Sequence, residues 1–187
     1  MNLAETLAAL QGAFPNAETA PEFRGETAIS IPGESLKDLL RYCKDKCGFD
    51  YLVDISSLDH MGEEPRFTMV YELYSFDNKH HLRVKSPVSE DEPAVDTVSD
   101  LWPTADWHER EVYDMMGITF NDHPDLRRIL MWEGYPYFPL RKDFPLAGKP
   151  SELAEVAFSD PAPLAGGPFV TPDGGKDTSH REPRSRA

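Results

Sequence analysis

Four side chains in one short stretch are of the types that do acid–base or metal chemistry: Glu109, Glu111, Asp114 and His123. Carboxylates and imidazoles are ordinary ligands for divalent metals and ordinary carriers of a proton. Their spacing limits what they can do together. On a helix turning 100° per residue, Glu109 and Glu111 lie about 160° apart, so a regular helix cannot offer both to one ion. The helix-spaced histidine pair of zinc hydrolases is missing. His123 precedes Pro124, a context suited to fixing a turn. The chain has no Gly-rich phosphate loop and no serine in a nucleophile-elbow context. A stand-alone acidic, metal-dependent enzyme therefore ranks below a structural or interface role. The residues point to no catalytic, cofactor-binding or metal-binding set.

The same four sit in a longer stretch, Trp107 to Pro145, that crowds both signs of charge among Trp, Tyr, Met, Phe and Leu. Charges in apolar surroundings are costly unless paired. On the helical wheel Arg110, Asp114, Trp107 and Glu111 form one stripe. Val112, Tyr113, Met115 and Met116 spread over much of the remainder, so part of that stripe is expected to be enclosed. Arg110 and Asp114, one turn apart, are expected to pair. Glu111 needs a donor from Arg127, Arg128 or Arg141. Farther on, Arg141, Lys142 and Asp143 lie between Pro139 and Pro145 and cannot stay helical. They read either as a solvated loop or as an extended clamp on a neighbouring protein. Tyr135, Tyr137, Phe138 and Phe144 favour the clamp, because aromatics and arginine concentrate in interface cores. The expected network is Glu109, Arg110, Glu111, Asp114, His123, Arg127, Arg128, Arg141, Lys142 and Asp143.

The elements that must position these groups follow from periodicity. Leu3, Leu7 and Leu10 share a stripe and predict a helix over 3–12. Thr27 to Ile31 reads as a strand. Leu36, Leu39, Leu40, Cys43 and Cys47 then mark a helix capped by Ser35 and stopped by Gly48. Alternation predicts strands over Tyr51–Leu58, Arg66–Phe76 and Lys79–Val84, joined by a loop at Asp59–Pro65 and a turn at Asp77–Asn78. A helix is expected to start at Pro93 with Val95, Val98, Leu101 and Trp102 on one side. Another should run from Ala105 to Met116, capped by Thr104 or Asp106 and stopped by Gly117. Strands and helices are segregated, so the class is α+β: an antiparallel sheet of about four strands with helices packed against it. An extended C-terminal arm follows. The boundary falls between a domain over 1–145 and a partly disordered tail over 146–187, where apolar residues stand singly among prolines and glycines.

Composition narrows the partners. At 187 residues with 40% hydrophobic content, the chain can bury a core without metal or disulfide staples. Cys43 and Cys47 share a helix face and read as buried free thiols, and two thiolates cannot by themselves supply a four-thiolate iron–sulfur cluster. A net charge of −14 disfavours nucleic acid and direct adsorption to anionic lipid. No apolar run nears the roughly 20 residues of a membrane span. The first residues, MNLAETLAAL, lack a basic region before their apolar positions, so no secretory signal is read and a cytoplasmic location is expected.

The order Glu109-Arg110-Glu111, Asp114, Met115-Met116, His123, Arg127 and Leu130 resembles the signature of the thirty-kilodalton subunit family, the C-subunit of the proton-pumping NADH:quinone oxidoreductase, respiratory complex I. The family's G-I-x-F, H-P-x-L-R-R-I and P-L-R-K-D-[FY]-P segments are matched by Gly117–Phe120, His123–Ile129 and Pro139–Pro145. Two departures stand out. The YPYFP between Gly134 and Leu140 is longer than the common spacing, and residues after Phe158 follow no family pattern. The resemblance implies a non-catalytic assembly subunit in the peripheral arm, on the cytoplasmic side of the inner membrane. It would pack against the large D-subunit and other peripheral-arm proteins of the same complex, touching the membrane only through that complex. NADH, FMN, iron–sulfur clusters and quinone would sit on those neighbours, with no cofactor on this chain. The alternative is the equivalent subunit of a membrane-bound hydrogenase or another quinone-linked dehydrogenase.

Overall fold

Asn2 starts the first helix by a reciprocal cap: its side chain accepts the Glu5 N–H, and the Glu5 carboxylate accepts the Asn2 N–H. This helix, α1, runs Leu3–Ala13. The computed structural model describes residues 2–145. After α1 come two short strands, β1 (Glu18–Thr19) and β2 (Ala28–Ser30), then helix α2 (Gly33–Cys47). Three nine-residue strands follow: β3 (Tyr51–Asp59), β4 (Phe67–Ser75) and β5 (His80–Val88). A short strand β6 (Ala94–Asp96), helix α3 (Ala105–Met116) and strand β7 (Thr119–Asn121) complete the described elements.

The α+β reading holds, and the main sheet is larger and less uniform than the alternation implied. Its order is β1-β2-β5-β4-β3. β3, β4 and β5 form two antiparallel hairpins, with Ile55 opposite Tyr71 and Tyr71 opposite Val84. β2 joins β5 in parallel, so the sheet is mixed with five strands. Period-two patterning specifies which face is buried but not the direction of the neighbouring strand, and so the parallel pairing was invisible. The inward row of Leu52, Ile55, Phe67, Met69, Tyr71, Leu73, Leu82 and Val84 belongs to one core with the α2 stripe Leu36, Leu39, Leu40, Cys43 and Cys47. Both cysteines are buried free thiols, and burial raises each thiol above its ordinary pKa.

Two local expectations fail. α2 begins at Gly33 with Pro32 at the cap position, and Ser35 lies inside the first turn, where its hydroxyl accepts from Asn16 Nδ2 at 3.0 Å. The helix expected after Pro93 is absent. Ala94–Asp96 pairs in parallel with Thr119–Asn121, and turns follow toward α3. Val95, Val98, Leu101 and Trp102 are all buried there. Their helical spacing reflects turns that fold back onto α3 rather than a helix. By contrast, α3 ends where the sequence indicated, with Gly117 in the left-handed conformation at φ 72°. Thr104 occupies its N-cap position without a side-chain cap bond. The expected arm and tail over 146–187 lie outside the described residues.

Candidate functional site

α3 carries most of the charged candidates, and burial divides them. Glu109 and Asp114 are fully buried, and Arg110 is 8% exposed. Glu111 is exposed, and Trp107 is 61% exposed. The enclosed part of the helix therefore runs through Arg110 and Asp114 but also takes in Glu109, which the wheel set apart from them.

Arg110 and Asp114 serve the same segment instead of each other. The Arg110 guanidinium donates through Nε to the Arg127 carbonyl at 3.1 Å and through Nη2 to the Arg128 carbonyl at 3.2 Å. Asp114 Oδ2 accepts the backbone N–H groups of Ile129, Leu130 and Met131 at 3.0, 2.7 and 2.8 Å. Its Oδ1 pairs with Arg128 Nη1 at 2.5 Å. One helical turn separates the two residues, so a cation meets the carbonyls and an anion meets the amides of a single passing segment. Burial acts to raise the Asp114 carboxyl, but the Met131, Leu130 and Ile129 amides and Arg128 outweigh it, leaving a net depression.

The 138–143 segment closes over the C-terminal end of α3. Leu140 N–H donates to the Met115 carbonyl at 3.1 Å. Arg141 Nε donates to the Met116 carbonyl at 2.6 Å, and its guanidinium lies 4.5 Å from the Phe138 ring and 5.2 Å from the Phe67 ring. A cation on those free carbonyls complements the negative end of the helix dipole. Gly117 permits the approach, since a Cβ there would lie 2.6 Å from Arg141 Nη2 and 2.7 Å from Phe138.

Lys142 N–H then donates to Asp59 Oδ2 at 2.7 Å. Asp59 forms a two-pronged bond with buried Arg66, at 2.8 and 2.9 Å, and this depresses its carboxyl. Arg66 also meets Glu90 at 2.5 Å and Asp143 at 3.5 Å. The clamp expected to reach a neighbour thus spends much of its backbone and charge inside the chain, as a strap that leaves Leu140 62% exposed.

Glu109 belongs to another cluster. Its Oε1 accepts the Val98 N–H at 2.7 Å, and Oε2 lies 2.5 Å from the Thr97 hydroxyl. His123, with its side chain fully buried, does fix a turn. Its Nδ1 accepts the Asp125 N–H at 3.0 Å, and its Nε2 stands 3.2 Å from the Asp106 carbonyl and 3.7 Å from Glu109 Oε2. Burial raises the Glu109 carboxyl to about 7, more than the Thr97 and Val98 bonds lower it. Among the remaining candidates, Arg127 is an exposed partner of Asp125, while Arg128 lies 5.7 Å from the Tyr135 ring and 5.2 Å from that of Phe138.

Sequence reading missed Asp59, Arg66, Glu90 and Thr97. The only signal for the first two was an acid and an arginine at opposite ends of one hairpin loop. Among the described residues, no three His, Cys, Asp or Glu side chains converge as a metal group.

The α+β body and a charged helix, α3, that holds residues 127–141 in place define the class of fold and site. Residues 29–150 match the family described as respiratory-chain NADH dehydrogenase, 30 Kd subunit, and the chain belongs to that family. It is 47% identical over 131 residues to the NADH-quinone oxidoreductase C-subunit of Geotalea uraniireducens, covering 70% of this chain and 80% of that protein. It is 46% identical over 160 residues to a C-subunit of the same enzyme from Rhizobium meliloti, covering 84% and 87%. Among solved structures it resembles a trypsin-resistant fragment (1–134) of Nqo5, with TM-score 0.61 and 33% identity over 67% of this chain and all of that one. A chain of a membrane-bound archaeal sulfane sulfur reductase shares the fold, with TM-score 0.68 and 24% identity over 76% of this chain and 85% of that one.

Proposed function

We propose that this chain is a non-catalytic assembly subunit in the peripheral arm of a proton-translocating NADH:quinone oxidoreductase. The observation that carries the reading is how its buried polar groups are used. Arg110, Asp114, Arg128 and Arg141 are occupied in holding residues 127–141, so they order a surface rather than converge on a substrate. That surface presents Leu130 and Leu140, each more than 60% exposed, and α3 adds the exposed Trp107. Large apolar groups held out by a rigid frame suit a permanent partner.

In this reading the partner is the large D-subunit, and NADH, FMN, iron–sulfur clusters and quinone belong to neighbouring proteins of the complex. No described helix is long and apolar enough to cross a membrane. Membrane contact is made through the complex, which faces the cytoplasm from the inner membrane. In this reading residues 1–145 are the family domain and 146–187 the C-terminal segment that follows it. The network of Glu109, Arg110, Glu111, Asp114, His123, Arg127, Arg128, Arg141, Lys142 and Asp143 serves assembly, with Glu111 and Arg127 available to the partner.

A tagged chain drawn under native conditions from detergent-solubilised membranes tests this. Co-purification of an NADH-binding flavoprotein and the large D-subunit supports it. A nickel-binding hydrogenase subunit in their place would move the chain to a related quinone-linked complex. Bound flavin, or NADH oxidation by the isolated chain, would reject the non-catalytic role.

A further inference from the structure

We infer that Glu109 is a buried proton-binding site, connected to the surface by a two-hydroxyl chain through Thr97 and Ser99. This goes beyond the assembly reading and does not depend on it.

The geometry is continuous. Glu109 Oε2 lies 2.5 Å from Thr97 Oγ1, which lies 2.9 Å from Ser99 Oγ. Glu109 and Thr97 are buried and Ser99 is half-buried, and both hydroxyl residues line a surface cleft with Lys37, Asp100, Asp106 and Asp122. A hydroxyl can donate once and accept as well, so the chain works in either direction. With Glu109 ionised, Ser99 donates to Thr97 and Thr97 donates to the carboxylate. With Glu109 protonated, its O–H donates to Thr97 and Thr97 donates to Ser99. No heavy atom moves between the two states. The second oxygen accepts the Val98 N–H in both.

The surroundings do not hold Glu109 in its charged form. From α3 itself, Asp106 repels the carboxylate. From α2, Lys37 attracts it, but that ammonium is paired with Asp100 at 3.2 Å near the surface. From β4, the buried Tyr71 phenol is raised, first by burial and then by Glu109 and Asp96. From the turn after β7 comes His123. Its Nδ1 accepts the Asp125 N–H, which assigns the ring proton to Nε2, 3.2 Å from the Asp106 carbonyl, 3.5 Å from Asp106 Oδ1 and 3.7 Å from Glu109 Oε2. The carboxyl is lifted from its ordinary 4.5 to about 7 chiefly by burial, in keeping with this set of neighbours. Folding therefore draws a proton onto this position over the range between those values.

The test is a carbon NMR titration of the full-length chain labelled at glutamate carboxyls, with the Glu109 signal assigned by its loss in Glu109→Gln. A midpoint near 7 is expected, against about 4.3 for an ordinary glutamate. Thr97→Val removes the hydroxyl that favours the ionised form and should raise the midpoint further, while Thr97→Ser should leave it nearly unchanged. Should Glu109→Gln fail to fold, Glu109→Asp, which removes the same labelled glutamate signal, makes the assignment. A Glu109 midpoint in the ordinary range would overturn the proton site. An elevated midpoint indifferent to Thr97→Val would overturn the hydroxyl connection.

Discussion

Two carboxyls on one helix, Glu109 and Asp114, are both closed to solvent and electrically opposite. Asp114 receives three backbone N–H groups and the Arg128 guanidinium, and its carboxyl is held below the ordinary value. Glu109 receives one N–H and shares one hydroxyl, with a histidine 3.7 Å away, and its carboxyl is pushed up to about 7. Burial opposes charge in both. Glu109 is set deeper in the protein and has fewer donors aimed at its oxygens, so the balance of desolvation against hydrogen bonds decides which acid stays ionised. One end of α3 is a fixed anchor and the other a titratable one.

Removing the anchor should produce the largest effect. Asp114→Ala strands a half-buried arginine and three amides, and breaking such a network costs up to about 3–5 kcal/mol. Denaturant unfolding should show that loss, and native gels should show failure to enter the full complex. Normal assembly with lost turnover would instead favour a catalytic role for this helix.

The titratable end offers a pH-dependent comparison. The folded pKa of Glu109 lies above its unfolded value, so its contribution to stability is fully present below about 4.5 and lost as pH rises through about 7. That gap corresponds to roughly 3 kcal/mol. Wild type should therefore lose stability relative to Glu109→Gln across that window and run parallel to it above. Asp114 has the reverse sign: its contribution is present above the unfolded aspartate value, about 3.9, and lost as pH falls through its depressed folded value. Melting curves of wild type, Glu109→Gln and Asp114→Asn across pH would separate the two. Parallel curves for wild type and Glu109→Gln throughout the window would erase the contrast.

A smaller effect is expected at Gly117→Ala, which combines a left-handed backbone with a Cβ pressed against Arg141 and Phe138. Strain of this kind costs about 1–3 kcal/mol. It should loosen the strap first, read as earlier tryptic cleavage after Arg141 with the sheet still intact. The smallest effect belongs to Arg127→Ala, because Arg127 and Asp125 are an exposed pair worth about 0–1 kcal/mol. A large change in stability of the isolated chain would show that Arg127 does more than this pair accounts for.

Much of the frame was legible. The limits of α3, the stop at Gly48 and the two hairpins follow from periodicities and punctuating residues that act within a few positions. The segment after Pro93 was not, because four buried apolar residues at helical spacing fit turns folded against α3 as well as they fit a helix. The Arg110–Asp114 pairing was a fair inference for an isolated helix, but each found more complete partners 14 to 18 positions away.

By itself the sequence determined the family, the position of the charged helix and the placing of Arg110 and Asp114 on one side of it. Only tertiary structure decided what those charges bind. Helical and strand periods are set by local backbone geometry and are written in neighbouring residues. The partners of a buried charge come from wherever the chain returns, as with the Lys142 amide on Asp59, 83 positions apart. No local pattern encodes that return, and so the same two acids, alike in sequence, became an anchor and a proton site only once their surroundings closed around them.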